Sequence, residues 1–232
     1  MSREPQIVAI GGAGFAPESE PLLRFILGLT GADRPRVCFL PTASGDSSEY
    51  VVRFYDAFAK LDCAPSHLEL FGAPQREAAR VHLLGQDAIY VGGGNTANML
   101  AVWLLHGIDA VLREAWEQGV LLCGTSAGGN CWFEACTTDS FGPLAPLRDG
   151  LGFLEGSFSP HYDAEPERRP TYLRLVADGF PPGYAAEDAV ALHFRDRELV
   201  EAVAAGDGCA YRVARGSGGE AEETPLPVRR LG

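Results

Sequence analysis

Short apolar runs alternate along the chain with stretches of helical spacing, and this alternation predicts the elements. Ile7-Val8-Ala9-Ile10 followed by Gly11-Gly12-Ala13-Gly14 reads as a buried strand and its exit turn. Leu22, Leu23, Ile26, Leu27 and Leu29 share one face of a helix over about 19–30. Val37-Cys38-Phe39-Leu40, closed by Pro41, is a second strand; an amphipathic stretch covers about 48–60, and 67–71 reads as a strand. Ala88-Ile89-Tyr90-Val91 opens onto Gly92-Gly93-Gly94-Asn95-Thr96, and helices over about 96–105 and 108–118 lead to the apolar run Val120 to Cys123. A helix then runs to about Glu134, followed by a polar loop at 137–142 and a further helix over about 166–177. The C-terminal part is strand-like at 189–194, 199–203 and 209–213, with a Gly- and Glu-rich turn at 215–223 and a last short segment at 225–229. The predicted fold is α/β: a mostly parallel, doubly wound sheet flanked by helices, with an additional strand-rich C-terminal part, in a single domain over 1–232.

Sheets of this kind carry their sites beyond the carboxyl ends of the strands. Gly124-Thr125-Ser126-Ala127-Gly128 stands at such an end and has the G-x-S-x-G form of a nucleophile elbow, a sharp strand-to-helix turn that lifts a serine hydroxyl above the sheet. Ser126 is therefore the candidate nucleophile, and the N–H of Ala127 a candidate oxyanion donor. The triple glycine exits a neighbouring strand, so Gly93 or Gly94 is a candidate for the second donor. The same pentapeptide also suits a tight crossover whose serine merely caps a helix. A base and an acid elsewhere separate the two readings.

Of the histidines at 67, 82, 106, 161 and 193, His67 and His82 fall before the glycine-rich strand, His106 near a helix end and His193 inside an apolar strand. His161, in a loop between Pro160 and Tyr162, is the best-placed general base. Asp139 is the preferred orienting acid, because a helix rising ~1.5 Å per residue would carry Glu134 about 12 Å from the serine. Glu134 is kept as a structural acid. Cys123 lies within the strand and is a buried side chain rather than a rival nucleophile.

Composition narrows the function classes. With 31 acidic and 19 basic residues the 232-residue chain carries a formal charge of −12, which disfavours nucleic acid or an anionic membrane as partner. No run approaches the ~18 apolar residues of a membrane span, and Met1 to Pro5 leads into a strand without a signal-peptide core, so a cytoplasmic location is expected. The six cysteines are scattered without a C-x-x-C, which suggests neither a zinc site nor a disulfide framework. Pro17 stands where a dinucleotide fingerprint needs its third glycine, so no nicotinamide cofactor is expected.

Gly124-Thr125-Ser126-Ala127-Gly128, Gly92-Gly93-Gly94-Asn95-Thr96, Thr137-Thr138-Asp139 and Pro160-His161-Tyr162 together resemble the peptidase E (aspartyl dipeptidase) family, over essentially the whole chain. The resemblance implies a fold shared with cyanophycinases and class I glutamine amidotransferases, and a serine peptidase that removes N-terminal aspartate from short peptides without metal or organic cofactor. It maps the nucleophile onto Ser126 and the base onto His161, and leaves Asp139 and Ser140 in competition for the acid. It further implies an arginine for the substrate β-carboxylate, aligned with Arg169, with Arg168 as the alternative. Asn95 is a candidate substrate contact. The expected partner is a small peptide, and a homo-oligomer is possible. A related exopeptidase of other specificity, cyanophycinase-like (β-aspartyl) or carboxypeptidase-like, and a non-catalytic binding protein on the same fold are the competing readings.

Overall fold

The computed structural model describes residues 4–72 and 75–232. The first half of the chain runs β1 (Gln6–Ile10), α1 (Glu20–Leu29), β2 (Arg36–Leu40), α2 (Ser48–Phe58), β3 (Ala64–His67), α3 (Arg76–Leu84), β4 (Ala88–Val91), α4 (Thr96–His106), α5 (Ile108–Glu117), β5 (Leu121–Thr125) and α6 (Ala127–Asn130). β1, β5, β4, β2 and β3 pair in parallel in that order. β3 lies earlier than the expected 67–71, because its partners Arg36 to Phe39 on β2 meet Ala64 to His67.

These strands read as continuous apolar runs because both sheet faces are covered. Ile7 and Ala9 point to the face packed by Trp103 of α4 and by Leu112 and Trp116 of α5. Val8 and Ile10 point to the opposite face, against Leu22 and Ile26 of α1 and Phe54 and Phe58 of α2. Helices on both faces make the sheet doubly wound. On the α2 side Phe39 stacks on Phe54 with ring centroids 4.9 Å apart, and Phe15 joins them edge-on to Phe39 at 5.2 Å. An aromatic pair of this kind contributes about 0.5–1.5 kcal/mol beyond its area burial. The cluster lies directly under the loops that follow β1 and β4.

The second half runs β6 (Phe133–Thr138), β7 (Ala145–Leu147), β8 (Leu154–Ser159), α7 (Arg168–Ala177), β9 (Gly183–Ala186), β10 (Val190–Arg195), β11 (Glu198–Ala204), β12 (Ala210–Arg215), β13 (Ala221–Pro225) and β14 (Val228–Arg230). β10, β11 and β14 extend the first sheet beyond β1, giving the order β14-β11-β10-β1-β5-β4-β2-β3. The β1–β10 pairing is antiparallel, so β10 begins where β1 ends. A second sheet, ordered β13-β12-β9-β8-β6-β7, packs Ala135, Ala185 and Val213 against Tyr172 and Val176 of α7.

One expected element is corrected. The helix after Ser126 stops at Asn130 instead of reaching Glu134, and Phe133 already starts β6. The carbonyls of Cys131 and Trp132 accept from Leu151, Phe153 and Leu154 of the returning chain at 2.9 Å, and Trp132 and Phe133 are fully buried. Apolar burial and backbone pairing thus replace helix continuation. Among the described residues no helix is long and apolar enough to cross a membrane.

Candidate active site

Ser126 occupies the turn between β5 and α6 with φ 54° and ψ −112°. A non-glycine residue in such a region costs about 1–3 kcal/mol unless its surroundings enforce it. Here they do. The Ser126 N–H donates to the Ile10 carbonyl at 3.0 Å, and its own carbonyl accepts from Gly129 and Asn130. The turn also brings α6 against β4: a Cβ on Gly128 would lie 2.2 Å from the Val91 carbonyl oxygen, which only glycine avoids.

The His161 loop follows β8 and is tied to the same place. The His161 N–H donates to the Gly11 carbonyl at 3.2 Å, and Gly11 in turn donates to the Val190 carbonyl at 2.9 Å. The His161 Nε2 lies 2.9 Å from Ser126 Oγ, and its Nδ1 lies 2.7 Å from Asp188 Oδ1. An ionised carboxylate only accepts, so Nδ1 carries the proton and Nε2 is left to accept from the serine hydroxyl. Asp188 sits in the turn between β9 and β10, and its N–H donates to Asp163 Oδ1 at 3.1 Å. Gly12 closes over the pair; a Cβ there would stand 1.9 Å from Asp188 Oδ1 and 2.5 Å from His161 Nδ1. The glycines after β1 that resemble a nucleotide fingerprint in sequence are the backing of the His161–Asp188 pair.

Ser126 and His161 open into a cleft of about 570 Å³, whose wall includes Gly93 and Gly94, Phe15 and, from α2, Tyr50 and Arg53. A Cβ on Gly93 would be 3.4 Å from Ser126 Cβ, so the triple-glycine loop does lie beside the serine. The Gly93 N–H donates to the Tyr50 hydroxyl at 3.2 Å. Burial pushes the Tyr50 phenol up, with the Gly93 bond and Arg53 opposing, so the hydroxyl stays protonated at neutral pH. The Ala127 N–H lies at the first position of α6, where a helix has no internal acceptor for it. The set comprises a serine hydroxyl, an imidazole able to take its proton, a carboxylate on the far nitrogen and backbone donors beside the serine. Such a set can carry out nucleophilic acyl transfer.

The chain belongs to peptidase family S51. The family model matches residues 7–202. Uncharacterized peptidase YgaJ of Bacillus subtilis (strain 168) is 51% identical over 231 residues, covering 98% of this chain and 99% of the relative. Peptidase E of Shewanella denitrificans is 26% identical over 223 residues, covering 92% and 90%. The crystal structure of a peptidase from an acI-B1 Actinobacterium superposes with a TM-score of 0.71 at 16% identity, covering 98% of this chain and 96% of that one, and so shares the fold. The protein is a peptidase of the serine type, with the α/β fold expected from its sequence.

Several expected site residues lie elsewhere. Asp139 is exposed in the turn after β6 and is not beside His161; the carboxylate there is Asp188, which the sequence reading missed. Ser140 accepts from the Ala97 N–H and bonds Thr138. Glu134 lies on β6 and accepts from the Gly156 N–H at 2.9 Å. Asn95 is used internally: Oδ1 caps α4 at the Asn98 N–H, and Nδ2 donates to the Ser140 carbonyl. Arg168 is buried, donating to Glu165 and to the Thr137 carbonyl, whereas Arg169 pairs with Glu223 and lies over the rings of Tyr162 and Tyr211. Neither arginine lines the cleft. Cys123 is fully buried with its thiol pushed up by burial, and Sγ donates to the Ile89 carbonyl at 3.4 Å. Of the other histidines, His67 contacts Tyr55, His82 contacts Ser66 and His193 contacts Gln6.

Proposed function

We propose that this protein hydrolyses short peptides through an acyl-enzyme on Ser126, with His161 as general base and Asp188 as the acid that orients it. The observation that carries this reading is the unbroken hydrogen-bond chain from Ser126 Oγ through His161 to Asp188, with the serine held at positive φ. His161 Nε2 takes the hydroxyl proton as Oγ attacks the scissile carbonyl, and Asp188 stabilises the imidazolium that forms. His161 then protonates the leaving amine, and water regenerates the serine by the reverse path.

The Ala127 and Gly93 N–H groups are the proposed oxyanion donors, each contributing about 3–4 kcal/mol to the transition state. In the free protein the Gly93 N–H is held by the neutral Tyr50 oxygen at 3.2 Å, toward the long end of the range. A charged oxyanion forms bonds roughly twice as strong and would displace it. Gly94, at φ 138°, turns the loop that presents Gly93.

The substrate proposed is a short peptide with N-terminal aspartate, as the family resemblance implies. Arg168 and Arg169 pair with glutamates away from the cleft that holds Ser126, which favours another cation as its reader. The test is labelling of the purified protein by a fluorophosphonate probe, followed by hydrolysis of Asp-Leu against Ala-Leu. Labelling at Ser126, lost in Ser126→Ala, with faster turnover of Asp-Leu, is expected. A folded protein that resists the probe refutes the acyl-enzyme.

A further inference from the structure

A cleft that selects an acidic peptide needs a cation, and the two arginines expected from sequence are committed elsewhere. Among the residues lining the cleft with Ser126, one carries a permanent charge: Arg53. We infer that Arg53 binds a carboxylate of the peptide substrate and sets the selectivity of the site, an inference that rests on the serine peptidase reading above.

Helix geometry aims the side chain. Tyr50 and Arg53 are three residues apart on α2 and therefore share a face, with Arg53 about 4.5 Å further along the axis. Tyr50 reaches the Gly93 N–H, and Gly93 is packed against Ser126, so the α2 face leads from the nucleophile to the guanidinium within one turn. The distance suits a peptide whose scissile carbonyl is at Ser126 and whose carboxylate is a few bonds away.

The present partner of Arg53 is easily exchanged. It pairs with Glu49 one turn back on α2, and the two side chains are 65% and 75% exposed. An ion pair so open to water contributes little, so a substrate carboxylate replaces Glu49 at small cost. Phe15, Ala16 and Pro17 line the cleft beside Arg53 and give a bound peptide an apolar surface to lie against. The planar guanidinium also presents parallel N–H groups that match a carboxylate in a bidentate fork.

Arg53 stands at a division. The same four residues, Phe15, Ala16, Pro17 and Arg53, also wall a second hollow of about 260 Å³ bounded by Glu20, Asp56 and Lys60. The carboxylate can come from the side chain of an N-terminal aspartate or from the C-terminus of a dipeptide. Both present the same fork to Arg53.

The experiment reads occupancy of the site, not product: initial-rate protection of Ser126 from the fluorophosphonate probe by excess Asp-Leu, Asn-Leu, Asp-Leu amide and Ala-Leu, in the full chain. Arg53→Gln, still labelled by the probe, should need about 10- to 100-fold more Asp-Leu for half-protection, the loss of a charge-assisted bond. Arg53→Lys should recover part of this, and Glu49→Gln should lower the requirement. If Asn-Leu no longer distinguishes Arg53→Gln from the parent, the aspartate side chain is the group bound; if Asp-Leu amide no longer does, it is the C-terminus. Equal protection of parent and Arg53→Gln by Asp-Leu overturns the inference, as does failure of Asp-Leu to protect a parent that the probe labels. A parent that the probe does not label refutes the acyl-enzyme reading instead.

Discussion

Replacing Gly12 with alanine should disable the site while leaving the fold standing. The added Cβ would lie 1.9 Å from Asp188 Oδ1, against an ordinary contact of 3.4 Å or more, an overlap of about 1.5 Å. Gly12 does not have positive φ, so alanine meets no backbone penalty there. The strain is relieved most cheaply at the free end of a side chain, and Asp188, 37% exposed, can swing toward water. That motion breaks the 2.7 Å bond that holds His161 Nδ1. A displacement of about 1 Å in a catalytic group costs roughly 10²-fold, and loss of an orienting aspartate about 10⁴-fold. The expected fall in kcat/KM is therefore about 10²- to 10⁴-fold, or about 3–5 kcal/mol of transition-state stabilisation. Stability should change by no more than about 1–2 kcal/mol. Steady-state kinetics on Asp-Leu, thermal melts and the rate of probe labelling measure all three. In an Asp188→Ala background the carboxylate clash is gone and only the 2.5 Å approach to His161 Nδ1 remains, so Gly12→Ala should there cost less than in the otherwise native protein, since coupled sites are non-additive. Gly12→Ala within about 5-fold of the parent in the otherwise native protein would refute the steric reasoning.

Two further outcomes are expected. Asp188→Asn should lower kcat by about 10⁴-fold, whereas Asp139→Asn, in an exposed turn, should stay within about 3-fold; kinetics on the two purified variants decide between the acids. Burial holds the His193 imidazole below its ordinary range, with Glu201 pulling it up and Arg195 pushing it down. The unfolded chain then binds more protons than the folded one, so stability is intact above the unfolded pKa near 6.5 and falls as pH drops below it. Denaturant midpoints at pH 7.5 and 5.5 should show this drop, reduced in His193→Leu but not abolished, because burial and the neighbouring His67 hold His82 down as well; an equal drop in both proteins contradicts the assignment.

The parallel half of the fold was legible because burial on both faces writes strands as uninterrupted apolar runs, as at Ile7 to Ile10 and Leu121 to Cys123. The elbow and His161 were legible because a tight turn restricts residue types locally. Asp188 was not, since nothing in Glu187-Asp188-Ala189 marks it apart from other surface acids. A usable signal existed in the next element. Val190 to Phe194 is mostly apolar, and if it pairs antiparallel with β1, the two residues before it must stand at the carboxyl end of β1, beside the serine. Arg53 was hidden for a different reason: the amphipathic pattern of α2 identifies its buried face but does not reveal which polar residue borders a cleft. The helix expected to reach Glu134 was ended by packing after one turn, although Glu134 does have a structural role, accepting from the Gly156 N–H.

Three consecutive residues, Ile10, Gly11 and Gly12, touch the loops of Ser126, His161 and Asp188, which come from widely separated parts of the chain. No local segment can therefore assemble a partly working centre, because all three loops take their positions from the end of one strand in the middle of the sheet. The amide protons of Ser126, His161 and Gly11 belong to a single cooperative unit and should exchange with solvent together, at the rate at which β1 is released. Recovered activity during refolding then reports the docking of that strand, and a protein with β1 detached is a peptidase with its whole centre switched off at once.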